Sequence, residues 1–275
     1  MRNEWKAKNK ILRAAITAIL LLPVCLLSAC GRQEAAFVIA GSTSVQPYVE
    51  ILAEDYAHIY PEKVIDIQGG GSSAGITAVE SGTANLGMSS RNLKESESHL
   101  WFIEITKDGL AIIINPGNPV DNLTLEQICG IYSGDILNWN QVGGRDARIH
   151  VITREEGSGT RSAFEEMVMD NHRITNRAIV QDSNGAVRML VADDRQAIGF
   201  ISLGLVNVGE RPVKAVSIEG VVPSRDNVIN GSYTLFRSFI FVARSEPTGY
   251  VMQFIDYVRS PEGQRILAEE GLIPE

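Results

Sequence analysis

Three times in this chain an apolar run of strand length ends in glycine, passes through serine or threonine, and continues with the spacing of a helix. The segments are "AGSTSVQ" (40–46), "QGGGSSAG" (68–75) and "REEGSGTRS" (154–162). A fourth hydroxyl-rich turn, "GMSSRN" (87–92), follows another strand-like run. Strands that feed helices through short turns build α/β folds, so mostly parallel sheets covered by helices are expected. The turns also carry a chemical meaning. A helix N-terminus leaves backbone N–H groups unpaired and concentrates roughly half a positive charge. Glycine allows the backbone close to a ligand, and hydroxyls add short neutral donors. Several such termini meeting at the carboxyl ends of strands would hold a small oxyanion. Any one of them is equally an ordinary helix cap, because serine and threonine are the preferred cap residues.

The intervening pattern supports the alternation. "FVIAG" reads as the first strand of the folded part. After it Val45, Tyr48, Val49, Leu52, Ala53 and Tyr56 share one helical face, with Pro47 in the first turn. Further strands are expected in "VIDIQG", "ANLGMSS", "DGLAIII", "RIHVITR", "AIGFISLG" and "TLFRSFIFVAR". Helices are expected in "SAGITAVESG", in "TLEQICGIYSG" with Thr124 as cap, and in "SGTRSAFEEMVM" and "SNGAVRMLVADD". Two more, "TGYVMQFIDYVRS" and "PEGQRILAEE", lie near the C-terminus. The 275 residues suit one large domain or two modest ones.

The net charge of −8 argues against nucleic acid and anionic membrane surfaces as partners, so an anion site must be made by local donors. At the N-terminus, Arg2, Lys6, Lys8, Lys10 and Arg13 precede the apolar "AAITAILLLPVCLLSA", the pattern of a secretory signal. It closes on "LSAC", which resembles a bacterial lipobox. That resemblance implies cleavage of residues 1–30 before Cys30 and lipid on Cys30, with residues 31–35 as a short tether. Cys129 is then the one cysteine without an assigned role, in the apolar context "EQICGIY", where it reads as a small buried hydrophobe.

An enzyme reading would make Ser158 a nucleophile, but "EGSGT" is not the strand–turn–helix elbow of a serine hydrolase. His58, His99, His150 and His172 lie in no motif that would supply its base, and His150 reads as structural. No metal-binding spacing occurs, so neither metal nor cofactor is expected. Trp101 and Trp139 read as packing residues rather than a platform for sugars or bases.

"AGSTSVQP", "IQGGGSSAGI", "LGMSSR", "LTLEQICGIYSGDILNWNQVGG", "REEGSGTRSAFE", "SNGAVRMLVADDRQAIGFISLG" and "SPEGQRILAEEGLIP" follow one another from about residue 37 to the end. In that order they resemble the substrate-binding proteins of bacterial phosphate ABC transporters. The resemblance implies a two-lobe, type II periplasmic-binding-protein-like α/β fold that closes over its ligand. Chain order suggests lobes of 36–114 with 236–275 and of 115–235, with hinge crossings near 115–116 and 234–235. It implies a monomeric, lipid-anchored protein on the extracytoplasmic face of the bacterial cell membrane, which passes inorganic phosphate to permease subunits. Carried over position by position, it assigns phosphate contacts to Thr43, Ser44, Ser72, Ser90, Arg154, Ser158, Gly159 and Thr160. Ser89, Arg91, Glu156 and Arg161 become supporting residues, with Glu156 orienting Arg154. Where family members carry an aspartate that accepts the ligand's proton, this chain has Ser90. That departure keeps sulfate or molybdate open as the ligand. A sensor or adhesin on the same fold is the other alternative.

Overall fold

A computed structural model describes residues 37–274; the expected signal, Cys30 and the tether lie outside them. The strands are β1 (Phe37–Gly41), β2 (Ile65–Gly69), β3 (Leu86–Ser89), β4 (Trp101–Ile114), β5 (Asn122–Leu123), β6 (His150–Arg154), β7 (Ile179–Gln181), β8 (Ala197–Ser202), β9 (Lys214–Ala215), β10 (Ser217–Ile218) and β11 (Phe236–Ala243). The helices are α1 (Gln46–Ile59), α2 (Ser72–Ser81), α3 (Leu125–Ser133), α4 (Gly159–Val168), α5 (Asn184–Asp193), α6 (Arg225–Ile229), α7 (Gly249–Arg259) and α8 (Pro261–Glu269).

One long sheet runs through the molecule in the order β2-β1-β3-β11-β4-β8-β6-β7, with β9 added to β4 and a separate β10-β5 pair. It divides at β4. Residues 101–109 of that strand pair with β11, and 110–114 pair with β8. The sheet is mixed rather than mostly parallel: β4 runs antiparallel to both neighbours, and β11 is antiparallel to β3. The reason is topological. One strand carries the chain from the first half to the second and β11 brings it back, so these two must oppose each other. The βαβ units on either side, β1 with β2 and β3, and β6 with β7 and β8, are parallel as expected.

Each half is a sheet between helical layers. Strand alternation makes this possible, because successive side chains leave opposite faces. In β11, Phe239 and Phe241 join a core with Tyr48, Val49 and Leu52 of α1 and with Phe254 and Ile255 of α7. Ile240 and Val242 face the other way, toward Ile76 and Val79 of α2. In β4, Leu110, Ile112 and Ile114 pack with Ile128 of α3 and Phe164 of α4, while Ala111 and Ile113 pack with Val187 and Val191 of α5. Fully burying one such side chain contributes about 1.5–3 kcal/mol. Trp139 belongs to the second-half core, and its indole N–H donates to the Gln196 carbonyl at 2.9 Å. Cys129 is only half-buried, against Met169.

The helix stops and starts follow local chemistry. Thr124 and Ser158 accept the backbone N–H groups of Gln127 and Arg161, capping α3 and α4. Gly82 ends α2 in the left-handed conformation at φ 76°. Among the described residues, no helix is long and apolar enough to cross a membrane.

A hydroxyl and guanidinium cluster between the two halves

The strand-to-helix turns found in the sequence meet where the halves face each other. The start of α1 brings Ser42, Thr43 and Ser44, the start of α2 brings Ser72, and the end of β3 brings Ser90. From the second half, the start of α4 brings Ser158, Gly159 and Thr160, and the end of β6 brings Arg154. Of these only Thr43 and Gly159 are absent from the buried polar residues: Gly159 is buried but carries no side chain, and Thr43 is half-buried.

The contacts cross the gap. Ser44 Oγ lies 2.7 Å from Thr160 Oγ1, and an Arg154 Nη2 hydrogen reaches Thr43 Oγ1 at 3.2 Å. Ser73 N–H donates to the Gly157 carbonyl at 3.1 Å. Within the first half, Ser42 donates to Ser90 Oγ at 2.9 Å, and Ser72 Oγ accepts the Ser90 N–H at 3.1 Å. Gly159 passes so close that a Cβ there would sit 2.2 Å from Ser72 Oγ and 2.6 Å from Ser90 Oγ. Only glycine permits the two halves this separation.

Arg154 is 1% exposed and is gripped along one edge. Its Nε and Nη2 donate to the two oxygens of Glu155, each at 2.9 Å, and Nη2 also reaches the Asp182 carbonyl at 3.0 Å. Nη1, the other edge, is buried with no protein acceptor. A buried charged donor left unpaired is destabilising by more than the ~1–3 kcal/mol of a neutral one, so this edge is available to an acceptor from outside the protein.

The supporting residues separate from the cluster. Glu155, not Glu156, orients Arg154: Glu156 is exposed, because the turn after β6 directs the first carboxylate back onto the guanidinium. Arg91 is turned to its own loop, with both oxygens of Glu97 at 2.8 Å, an arrangement that holds the Glu97 carboxyl below its usual range. Ser89 closes the same turn on the Arg91 carbonyl at 2.8 Å. Arg161 bonds Glu165 and the Arg154 carbonyl, tying α4 to β6. Ser158 spends its hydroxyl oxygen as the α4 cap, leaving the first-turn N–H groups of α4 as its offer to a ligand. Among the described residues no histidine serves Ser158: His99 pairs with Glu80, His150 with Asp194 and His172 with the Met169 carbonyl, and His58 is exposed in the last turn of α1.

Besides Ser42, four participants were not assigned from the sequence. Asn184, at the start of α5, donates to Ser44 Oγ at 2.8 Å. Arg237 of β11 donates from Nη2 to Ser44 Oγ at 3.2 Å and to Asp108 Oδ2 at 3.1 Å. Ser202, ending β8, donates to Asp108 Oδ1 at 2.8 Å. Burial pushes the Asp108 carboxyl up, opposed by the Arg237 charge, and burial likewise pushes Arg237 down. The signals were present: "DSNG" repeats the turn-before-helix pattern, and "KDGLAIII" and "LFRSFIF" each place a charge inside a buried strand.

A two-lobe α/β clamp with an anion-receiving cluster at its cleft defines a solute-binding protein, and the comparisons agree with that class. The chain matches the model of the PBP superfamily domain over residues 28–262. It is 31% identical to the phosphate-binding protein PstS of Bacillus subtilis over 90% of this chain and 84% of that one. It is 30% identical to PstS of Borreliella burgdorferi over 95% and 99% of the two chains. A phosphate ABC transporter substrate-binding protein of Clostridium perfringens, solved with bound phosphate, superposes with a TM-score of 0.83 at 42% identity, covering 88% of this chain and all of that one. An ABC-type phosphate transport receptor of Vibrio cholerae gives 0.72 at 40% identity, with 87% and 100% covered. The chain belongs to the PBP superfamily and, within it, to the substrate-binding proteins of phosphate ABC transporters. Proteins of this family bind and hand over a solute and are not enzymes.

Proposed function

We propose that this chain captures inorganic phosphate between its two lobes outside the cytoplasm and delivers it to the permease of an ABC importer. The observation that carries the reading is the buried Nη1 edge of Arg154, without a protein acceptor, set among hydroxyls from both halves. The phosphate-binding relatives and the phosphate-bound neighbour support the choice of ligand. The proposed contacts are Thr43, Ser72, Ser90, Arg154, Gly159 and Thr160, with Ser158 acting through its backbone and Ser44 acting through the hydrogen bond it gives Thr160. Chain order suggests lobes of 36–114 with 236–275 and of 115–235; the change of partner at 109–110 and the packing of Leu110 to Ile114 with the second half favour moving the first crossing into β4, near 109–110. Ser90 in place of a carboxylate favours a second ligand, sulfate, since a site of donors alone satisfies an anion that carries no proton.

Calorimetric titration of residues 31–275, freed of bound ligand, decides between these. Phosphate is expected to bind more tightly than sulfate and to reduce the radius of gyration in solution scattering. No heat with phosphate, or identical scattering with and without it, would reject the clamp.

The anchor is proposed from "LSAC" after its apolar run, and the chain is proposed to act as a monomer at the membrane. Cys30→Ser is expected to abolish lipid labelling and release the protein from membranes. Stable anchoring takes at least two acyl chains, so partial loss of lipid already weakens attachment. Equal membrane retention of wild type and variant would refute the lipoprotein assignment.

A further inference from the structure

Arg237 and Asp108 stand opposite each other in register, at the point where β4 leaves β11 for β8. Their side chains are 4% and 1% exposed. A buried ion pair is seldom a stabilising choice over two apolar residues, so its place beside the cluster calls for another reason. Hydrogen-bond polarity supplies one. A guanidinium can only donate, so Arg237 Nη2 donates to Ser44 Oγ at 3.2 Å. The Asn184 amide is oriented by its Oδ1, which accepts the Ser202 N–H at 3.2 Å, so its Nδ2 also donates to Ser44 Oγ, at 2.8 Å. These two donors fill both lone pairs of the serine oxygen. Its single hydrogen then goes to Thr160 Oγ1, 2.7 Å away, and Thr160 keeps its own hydrogen for a ligand. At the opposite end, Ser90 Oγ takes one hydrogen bond from Ser42 and lies 3.4 Å from Ser72 Oγ; with its own hydrogen given to Ser72 it retains a lone pair.

We propose that Arg237, with Asp108 as its counter-ion, is a specificity-determining residue of the anion site: it fixes Ser44 as donor to Thr160 and thereby Thr160 as donor to the ligand, and reserves that corner for an unprotonated oxygen of a tetrahedral oxyanion. The protonated oxygen of phosphate is thereby directed to the Ser42, Ser72 and Ser90 end. The inference rests on the phosphate reading above. Arg237 is a positioning residue here, acting through Ser44.

The test is Arg237→Met combined with Asp108→Leu, which leaves no lone buried charge, titrated with phosphate and with sulfate at fixed pH and ionic strength. Ser44 then has one fixed donor and is free to accept. Sulfate, which needs donors at every contact, is expected to lose affinity by at least about tenfold, and phosphate by less, so the phosphate-to-sulfate ratio rises. Arg237→Lys retains a charged donor and is expected to keep the wild-type ratio. Arg237→Leu with Asp108→Asn, which likewise removes the donor at 237 and leaves no lone buried charge, replaces the first pair if that one does not fold, with the same expected direction. A merely structural role would lower both anions in equal proportion, and that result, or an unchanged ratio, overturns the inference while leaving the phosphate reading intact. A wild type that binds phosphate but excludes sulfate altogether also overturns it. A wild type that binds neither anion refutes the proposed function itself.

Discussion

Arg154→Ala is expected to weaken phosphate binding roughly tenfold to a hundredfold, the equivalent of a charge-assisted hydrogen bond of about 1.5–3 kcal/mol. Several contributions act in the same direction. The free Nη1 edge is lost, and with it the contact from Nη2 to Thr43 that spans the halves. Glu155, which accepts two bonds from the guanidinium, is left as an uncompensated carboxylate beside the anion. Titration of the variant, with its thermal transition measured alongside, checks the assignment. Wild-type affinity in a folded Arg154→Ala protein would remove the arginine from the site.

Gly159→Ala should act by another route. The added methyl would meet Ser72 Oγ at 2.2 Å and Ser90 Oγ at 2.6 Å, and both hydroxyls are buried, so neither can swing aside. The halves must then stand apart. Overpacking of this kind costs about 1–3 kcal/mol, roughly fivefold to more than a hundredfold in affinity, because the closed form is penalised and the open form is not. The diagnostic combination is a thermal transition near wild type without phosphate, weaker binding, and no phosphate-dependent contraction in scattering. Full contraction with undiminished affinity would show that the closed cleft has room at this position.

Much of this arrangement can be read from the residues. The glycine–hydroxyl turns report local events, a strand ending and a helix beginning, so their chemistry lies within a few residues of one another. The helix face through Tyr48, Val49, Leu52 and Tyr56 is buried as its spacing implies. The first half of β4, "WFIEITK", does not advertise itself, because Glu104 and Lys107 interrupt its alternation and its pairing partner lies more than a hundred residues later. Arg237 and Asp108 were hidden for the same reason: each looks like an isolated charge until the register sets them side by side. The Glu155 and Glu156 assignment turned on the direction of a single turn, which neighbouring identical residues cannot disclose. Local sequence declares what a turn can donate, and only the sheet declares what stands across from it.

The position of β11 also bears on how the molecule assembles. That strand, near the end of the chain, occupies the middle of the first half-sheet, between β3 and β4. Until it is synthesised, β1, β2 and β3 have nothing to join them to β4, and Phe239 and Phe241 are missing from the core around α1. The stretch from Leu110 to Leu235, by contrast, contains nearly all of the second core in one uninterrupted run. Closing a long loop is entropically unfavourable, and non-local strand pairing is slow to form. The interior of the chain is therefore expected to condense first, while its beginning waits, incomplete, for its end.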